Sequence, residues 1–205
     1  MMMANFPNQL RDVLATRPRQ TDAEWQSRPA AVLAPLYFHD DEWWLLFTRR
    51  TDHLKTHSGQ VSFPGGAIDP EDDGAVNAAL REAEEEIGLK RADVQVIGVL
   101  DDLLTVTQYR VTPVVGVIPY PYLFTLNTHE TAAVFGRPLR WLADPNNRET
   151  QQRRSPFTGQ MVEVYFYQPW EGHVIWGATA WMVMRLLAVL QSHRLYPYQN
   201  GSGPA

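Results

Sequence analysis

The sequence predicts an α/β fold in which helices cover a mixed β-sheet. Three observations carry this expectation. Apolar residues make up 44% of the 205 positions, enough for a packed core and too many for a disordered chain. Apolar runs of strand length recur along the chain, bounded by polar turn residues. Between and after them lie stretches of helical length, one with a clear 3.6-residue apolar repeat, so strands and helices are interleaved as in a layered α/β domain.

The elements follow in order. Residues 5–16, NFPNQLRDVLAT, have the make-up of a short helix, and the polar, Pro- and Arg-containing stretch 17–29 reads as a loop. AAVLAPLYF (30–38) is a strand, HDDE a turn, and WWLLFTRR (43–50) the hairpin partner. A polar loop then runs to Phe63, with a short strand at its end. Gly65 and Gly66 are expected to break any strand, and Asp69-Pro70 and Asp72-Asp73 to turn the chain and cap a helix. That helix should run from about Gly74 to Ile87 and stop at Gly88. Val76, Ala79, Leu80, Ala83 and Ile87 form its apolar stripe. Residues 93–102 and 109–120 read as strands, 130–142 as a short strand with a helical turn after Pro138, and 161–168 as another strand. Residues 177–195 make a long helix whose Trp and Met side chains belong to the core. The expected organisation is an N-terminal helix and loop over residues 1–29, one domain over 30–195 and a disordered tail over 196–205.

Composition narrows the function. No run approaches the roughly 18 apolar residues of a membrane span, and the opening residues lack the apolar stretch of a secretory signal. Cysteine is absent, which excludes disulfides and thiolate metal sites and fits a cytoplasmic protein. A formal charge of −5 argues against nonspecific binding of nucleic acid, which depends on Lys and Arg contacts to phosphate. An anionic substrate would need local positive charge from a metal or a few arginines.

The segment GGAIDPEDDGAVNAALREAEEEIGL (65–89) crowds Glu82, Glu84, Glu85 and Glu86 into five residues. Like charges at this spacing destabilise a helix. On a helical wheel, Glu82, Glu85 and Glu86 fall within about 100° of one another, away from the apolar stripe, while Glu84 falls on another flank. Carboxylates at i, i+3 and i+4 suit a hard divalent cation that keeps open positions for water and phosphate. Arg81 stands where it can orient them, and the glycine pair allows close approach of backbone to metal or phosphate. The competing interpretation is an ordinary solvated acidic face.

The segment resembles the Nudix box, G-x5-E-x7-R-E-U-x-E-E-x-G-U with U apolar. Arg81 to Leu89 fill its second half without a mismatch. The first half is one residue longer from Gly66 to Arg81, and Asp72 or Asp73 stands where Glu is expected. LFTRRTDHLKTHSGQVSFPGG (46–66) further resembles the motif of the coenzyme A pyrophosphatase branch, L-L-T-x-R-S/A-x3-R-x3-G-x3-F-P-G-G. Leu46, Thr48, Arg50, Gly59, Phe63, Pro64, Gly65 and Gly66 match; Phe47, Thr51 and Lys55 depart. The resemblance covers roughly residues 30–190. It implies an α/β/α sandwich with a mixed sheet, and Mg²⁺- or Mn²⁺-dependent hydrolysis of the diphosphate in coenzyme A to 3′,5′-ADP and 4′-phosphopantetheine. Glu82, Glu85 and Glu86 would hold metal, Arg81, Glu82 and Glu85 would serve catalysis, and Arg50, Lys55, Gly65 and Gly66 would contact substrate. A small-molecule substrate, with neither nucleic acid nor membrane as partner, goes with this; the oligomeric state is open, a homodimer being one option. ADP-ribose or NADH hydrolysis is the alternative within the same chemistry, and a noncatalytic nucleotide-sensing module the alternative outside it.

Several residues carry two interpretations. Arg50 and Lys55 either contact phosphate or end a hairpin as surface charges. His53 and His57 are loop histidines before they are bases. Glu130 sits where some Nudix enzymes draw a fourth carboxylate. Arg148, Arg153 and Arg154 are expected in a solvated loop.

Overall fold

The computed structural model describes residues 5–21, 27–53, 58–155 and 159–198. Strands β1 (Arg28–His39) and β2 (Glu42–Arg50) form a hairpin, followed by the short β3 (Val61–Ser62) and β4 (Gly65–Ala67). Strands β5 (Gln95–Val99), β6 (Leu103–Leu104), β7 (Tyr109–Val117) and β8 (Thr131–Pro138) complete an eight-stranded sheet in which β1 and β7 run parallel and the other pairs are antiparallel. Helix α1 (Phe6–Thr16), the short α3 (Leu139–Ala143) and the long α4 (Gly177–Ser192) bury side chains on one face, in a core with Leu36, Leu45, Phe47 and Val115. Helix α2 (Gly74–Ile87) covers the other face, where Ala78, Ala79, Ala83 and Ile87 meet Leu33, Leu46 and Val114. This is the expected mixed α/β sandwich. Alternate residues of β1 and β2 serve the two cores because strand side chains alternate between faces.

Three expectations need correction. The glycine pair does not break the chain: Gly65 and Gly66 form β4 and pair with Val32 and Ala31 of β1. A Cβ on Gly65 would lie 2.4 Å from the Ala31 carbonyl oxygen, so only glycine allows this strand so near β1. Residues 148–154 are not a loop. They form β9 (Arg148–Arg154), paired antiparallel with β10 (Met161–Tyr167) in a separate ribbon. The solvated character expected for Arg153 and Arg154 holds, since both are exposed, whereas Arg148 turns inward and donates to the Leu142 and Ala143 carbonyls. Finally, Asp73 occupies the N-cap of α2 without a side-chain capping bond.

The C-terminal stop behaves as expected. Gly88 adopts φ 68°, and its N–H and that of Leu89 close on the Glu84 and Ala83 carbonyls. Beyond α4, Leu195 and Tyr196 are buried, and the Tyr196 ring packs edge-on against Phe6. Among the described residues, no helix is long and apolar enough to cross a membrane.

Candidate active site

The site lies where β4, the end of β2, the second half of α2 and the turn before β8 meet. Arg81 organises it. Its Nε and Nη2 donate to the Asp72 carboxylate at 2.9–3.3 Å, Nη2 also donates to the Ala67 carbonyl at 3.1 Å, and Nη1 lies 3.0 Å from Glu82 Oε1 and 3.1 Å from Glu85 Oε2. This fork uses the planar multi-donor geometry that only Arg supplies. Asp72, not Asp73, is therefore the acid that faces Arg81, and the arginine holds its carboxyl below the ordinary carboxylate value. The same contacts raise Arg81 above its own ordinary value, so it stays cationic at every working pH.

The three glutamates sit at graded depth. Glu85 is the most exposed, Glu82 is half-buried and Glu86 is 4% exposed. Glu84 lies on the other flank, as the wheel predicts, 3.5 Å from Arg91. Burial pushes the Glu82 carboxyl up, opposed by Arg81. Burial pushes Glu86 up to about 8; Glu82 and Glu130 add to this, while Arg50 and the Gly65 N–H oppose it. Among the described residues, the cation paired with Glu86 is Arg50, whose Nη1 is 3.9 Å from Oε1. Arg50 Nε is itself buried without a hydrogen-bond partner among the described residues, an unusual state for a charged donor.

Glu130 was a secondary candidate in the sequence, and the structure brings it into the field of both Glu82 and Glu86. Its turn is fastened at two points. Asn127 N–H donates to the Glu86 carbonyl, and Thr51, 5% exposed, donates its N–H to the Glu130 carbonyl and its hydroxyl to the His129 carbonyl at 2.9 and 3.0 Å. Thr51 was noted in the sequence only as a departure from a motif. Its role depends on a partner nearly eighty residues away, which no local pattern announces. Lys55 and His57 lie outside the described residues; His53 is exposed.

The donor set suits a hard divalent cation. As placed, Arg81 ties up Glu82 and Glu85, and no group of three Asp, Glu or His side chains among the described residues closes on one point. Two features fit a cation nonetheless. A Cβ on Gly66 would lie 2.5 Å from Glu82 Oε1, so this glycine is what lets the carboxylate reach β4. A carboxylate as buried as Glu86, facing two further glutamates, is costly to ionise unless a positive charge joins it.

The NUDIX domain family matches residues 27–138. NudL of Escherichia coli K12, described as an uncharacterized Nudix hydrolase, is 39% identical over 170 residues, covering 83% of this chain and 86% of its own. NudL of Escherichia fergusonii is 38% identical over the same length. Among solved structures, a MutT/nudix family protein from Enterococcus faecalis aligns with a TM-score of 0.53 at 11% identity, over 92% of this chain and 73% of its own, which supports the fold. The chain belongs to the Nudix family. It is a hydrolase of the kind that acts on nucleoside diphosphate derivatives, enzymes that generally use divalent metal ions.

Proposed function

We propose that this enzyme hydrolyses the diphosphate of coenzyme A or a close derivative, yielding 3′,5′-ADP and 4′-phosphopantetheine, with Mg²⁺ or Mn²⁺ held by Glu82, Glu85 and Glu86. The observation that carries the substrate assignment is the coenzyme A-branch motif over residues 46–66, whose Arg50 ends beside Glu86 with an unpartnered buried Nε. A phosphate oxygen of the substrate would satisfy that donor. Held by these three glutamates, a divalent cation would supply charge to offset that developing on the diphosphate oxygens and would acidify the attacking water.

The protein's own groups do the rest. Arg81 holds Glu82 and Glu85 in fixed rotamers by one nitrogen, and Asp72 fixes the arginine. Gly65 and Gly66 bring backbone to the diphosphate without side-chain obstruction. Glu130 is not tied to Arg81, and we assign it to accept the proton of the attacking water, with its turn steadied by Thr51. Water oxygen bonds to one phosphorus, the bridging P–O bond breaks, and the other phosphate leaves. The reading is tested by Mg²⁺-dependent release of 3′,5′-ADP from coenzyme A, compared in kcat/KM with ADP-ribose and NADH. Coenzyme A should lead; a tenfold or greater advantage for ADP-ribose would overturn the substrate assignment.

A further inference from the structure

We propose that a cleft on the sheet face opposite α2 holds the phosphorylated nucleoside end of the substrate, Arg49 taking a phosphate monoester and Trp176 stacking on the purine. It rests on the coenzyme A reading in that the nucleoside end is then 3′-phosphoadenosine.

Arg49 and Arg50 are neighbours on β2, so their side chains leave on opposite faces. Arg50 points to Glu86. Arg49 lines a cavity of about 350 Å³ with Gln60, Val61, His173 and Trp176, at the lower end of the size range of ligand pockets. Adjacent residues at one strand end thus face the cleft, through Arg49, and the carboxylates, through Arg50. Arg49 also stands at an unspecified position of the 46–66 motif, so the sequence resemblance gives it no role.

The chemistry of the cleft favours an anion with a planar ring. The partner of Arg49 is Asp52, itself 71% exposed. Such a pair contributes little, and a phosphate dianion competes well for the guanidinium fork. His173 lies flat on Phe135, with centroids 4.1 Å apart. Burial, Arg137 and Arg49 hold its imidazole below the ordinary value, so it supplies one donor and one acceptor near neutral pH. Trp176 stacks on Phe166 at 5.6 Å yet remains 37% exposed. A braced, accessible indole is a sequence-tolerant platform for a base.

The test is calorimetric binding of 3′,5′-ADP and of 5′-AMP to the full chain in EDTA. The native protein should bind 3′,5′-ADP about tenfold more tightly than AMP, the scale of one charge-assisted contact. Arg49→Gln should erase that preference while leaving AMP affinity and Tm unchanged, and Trp176→Leu should weaken both ligands alike. Retained discrimination in Arg49→Gln, or none in the native protein, overturns the phosphate assignment; unchanged affinities in Trp176→Leu overturn that of the ring. A second arm compares coenzyme A with 3′-dephospho-coenzyme A as substrates. Arg49→Gln should raise KM for the former only and keep kcat for both. If neither compound is hydrolysed, the proposed function fails, while the binding arm still decides the cleft.

Discussion

Replacing Glu86 with Gln should remove a stability loss that the metal-free protein suffers between about pH 5 and 8. An unfolded glutamate releases its proton near the ordinary value of 4.5, whereas the folded one keeps it until about 8. Across that interval the native state binds the extra proton, so stability falls as pH rises, and the contribution is intact only below the lower value. The separation corresponds to a ceiling of about 5 kcal/mol at 1.36 kcal/mol per pH unit. Water entering beside the ionised carboxylate brings the expected loss to about 2–3 kcal/mol, or roughly 4–12 °C in Tm for a domain of this size. Gln cannot ionise, so the variant should be the more stable protein at pH 8 and nearly equal to native at pH 5. Differential scanning calorimetry in EDTA, read as the difference between the two Tm curves, isolates this group from other titrations. Mg²⁺ at a hundred times its Kd should restore about 2.7 kcal/mol to the native protein and little to the variant. Parallel Tm curves for the two proteins would refute the claim that Glu86 is a desolvated acid awaiting a cation.

Five substitutions separate architecture from chemistry at the same site. Gly65→Ala drives a Cβ into the Ala31 carbonyl and should destabilise by about 1–3 kcal/mol, seen as a lower urea midpoint. Gly66→Ala has the movable Glu82 carboxylate as its closest contact, so the fold should hold while kcat drops about a hundredfold through displacement of that group; native activity in this variant would contradict the placement of Glu82. Asp72→Asn should cost roughly 10–100-fold in metal affinity or kcat by loosening Arg81, with Asp73→Asn within about twofold of native in the same assay. Glu130→Gln should lower kcat by about 10²–10⁴ and remove the acidic limb of the pH–rate profile; an unchanged profile would assign the proton acceptor elsewhere.

What could be read from the residues depended on whether a feature is local. The second half of the acidic segment was legible because its spacing is itself the constraint: i, i+3, i+4 on one helix fixes three carboxylates without reference to anything else. The glycine pair carries no local sign of a strand because its strand is imposed from outside. Glycine has no strand preference of its own, and β4 exists because β1 offers a ladder at Ala30, Ala31 and Val32. Strand β9 was hidden for the opposite reason. RETQQRR has no apolar alternation, since both faces are largely solvated, and its only cue is register with β10.

The depth of Glu86 joins these two kinds of information. The wheel places it about 60° from Ala83 and so on the border of the apolar stripe, which the sequence shows. Whether that border is wet or dry is decided by three distant segments: Gly65 on β4, Arg50 at the end of β2, and the Asn127–Thr131 turn locked by Thr51. Gly65 and Arg50 bring donors suited to an ionised carboxylate or to a phosphate beside it, whereas the turn brings the like charge of Glu130, and together the three leave Glu86 too desolvated to ionise readily. A site meant only for stability would place an apolar residue there. Keeping an acid under these conditions makes sense when a bound cation supplies the missing charge, so the same burial that weakens the metal-free protein at neutral pH is what makes the carboxylate a strong ligand.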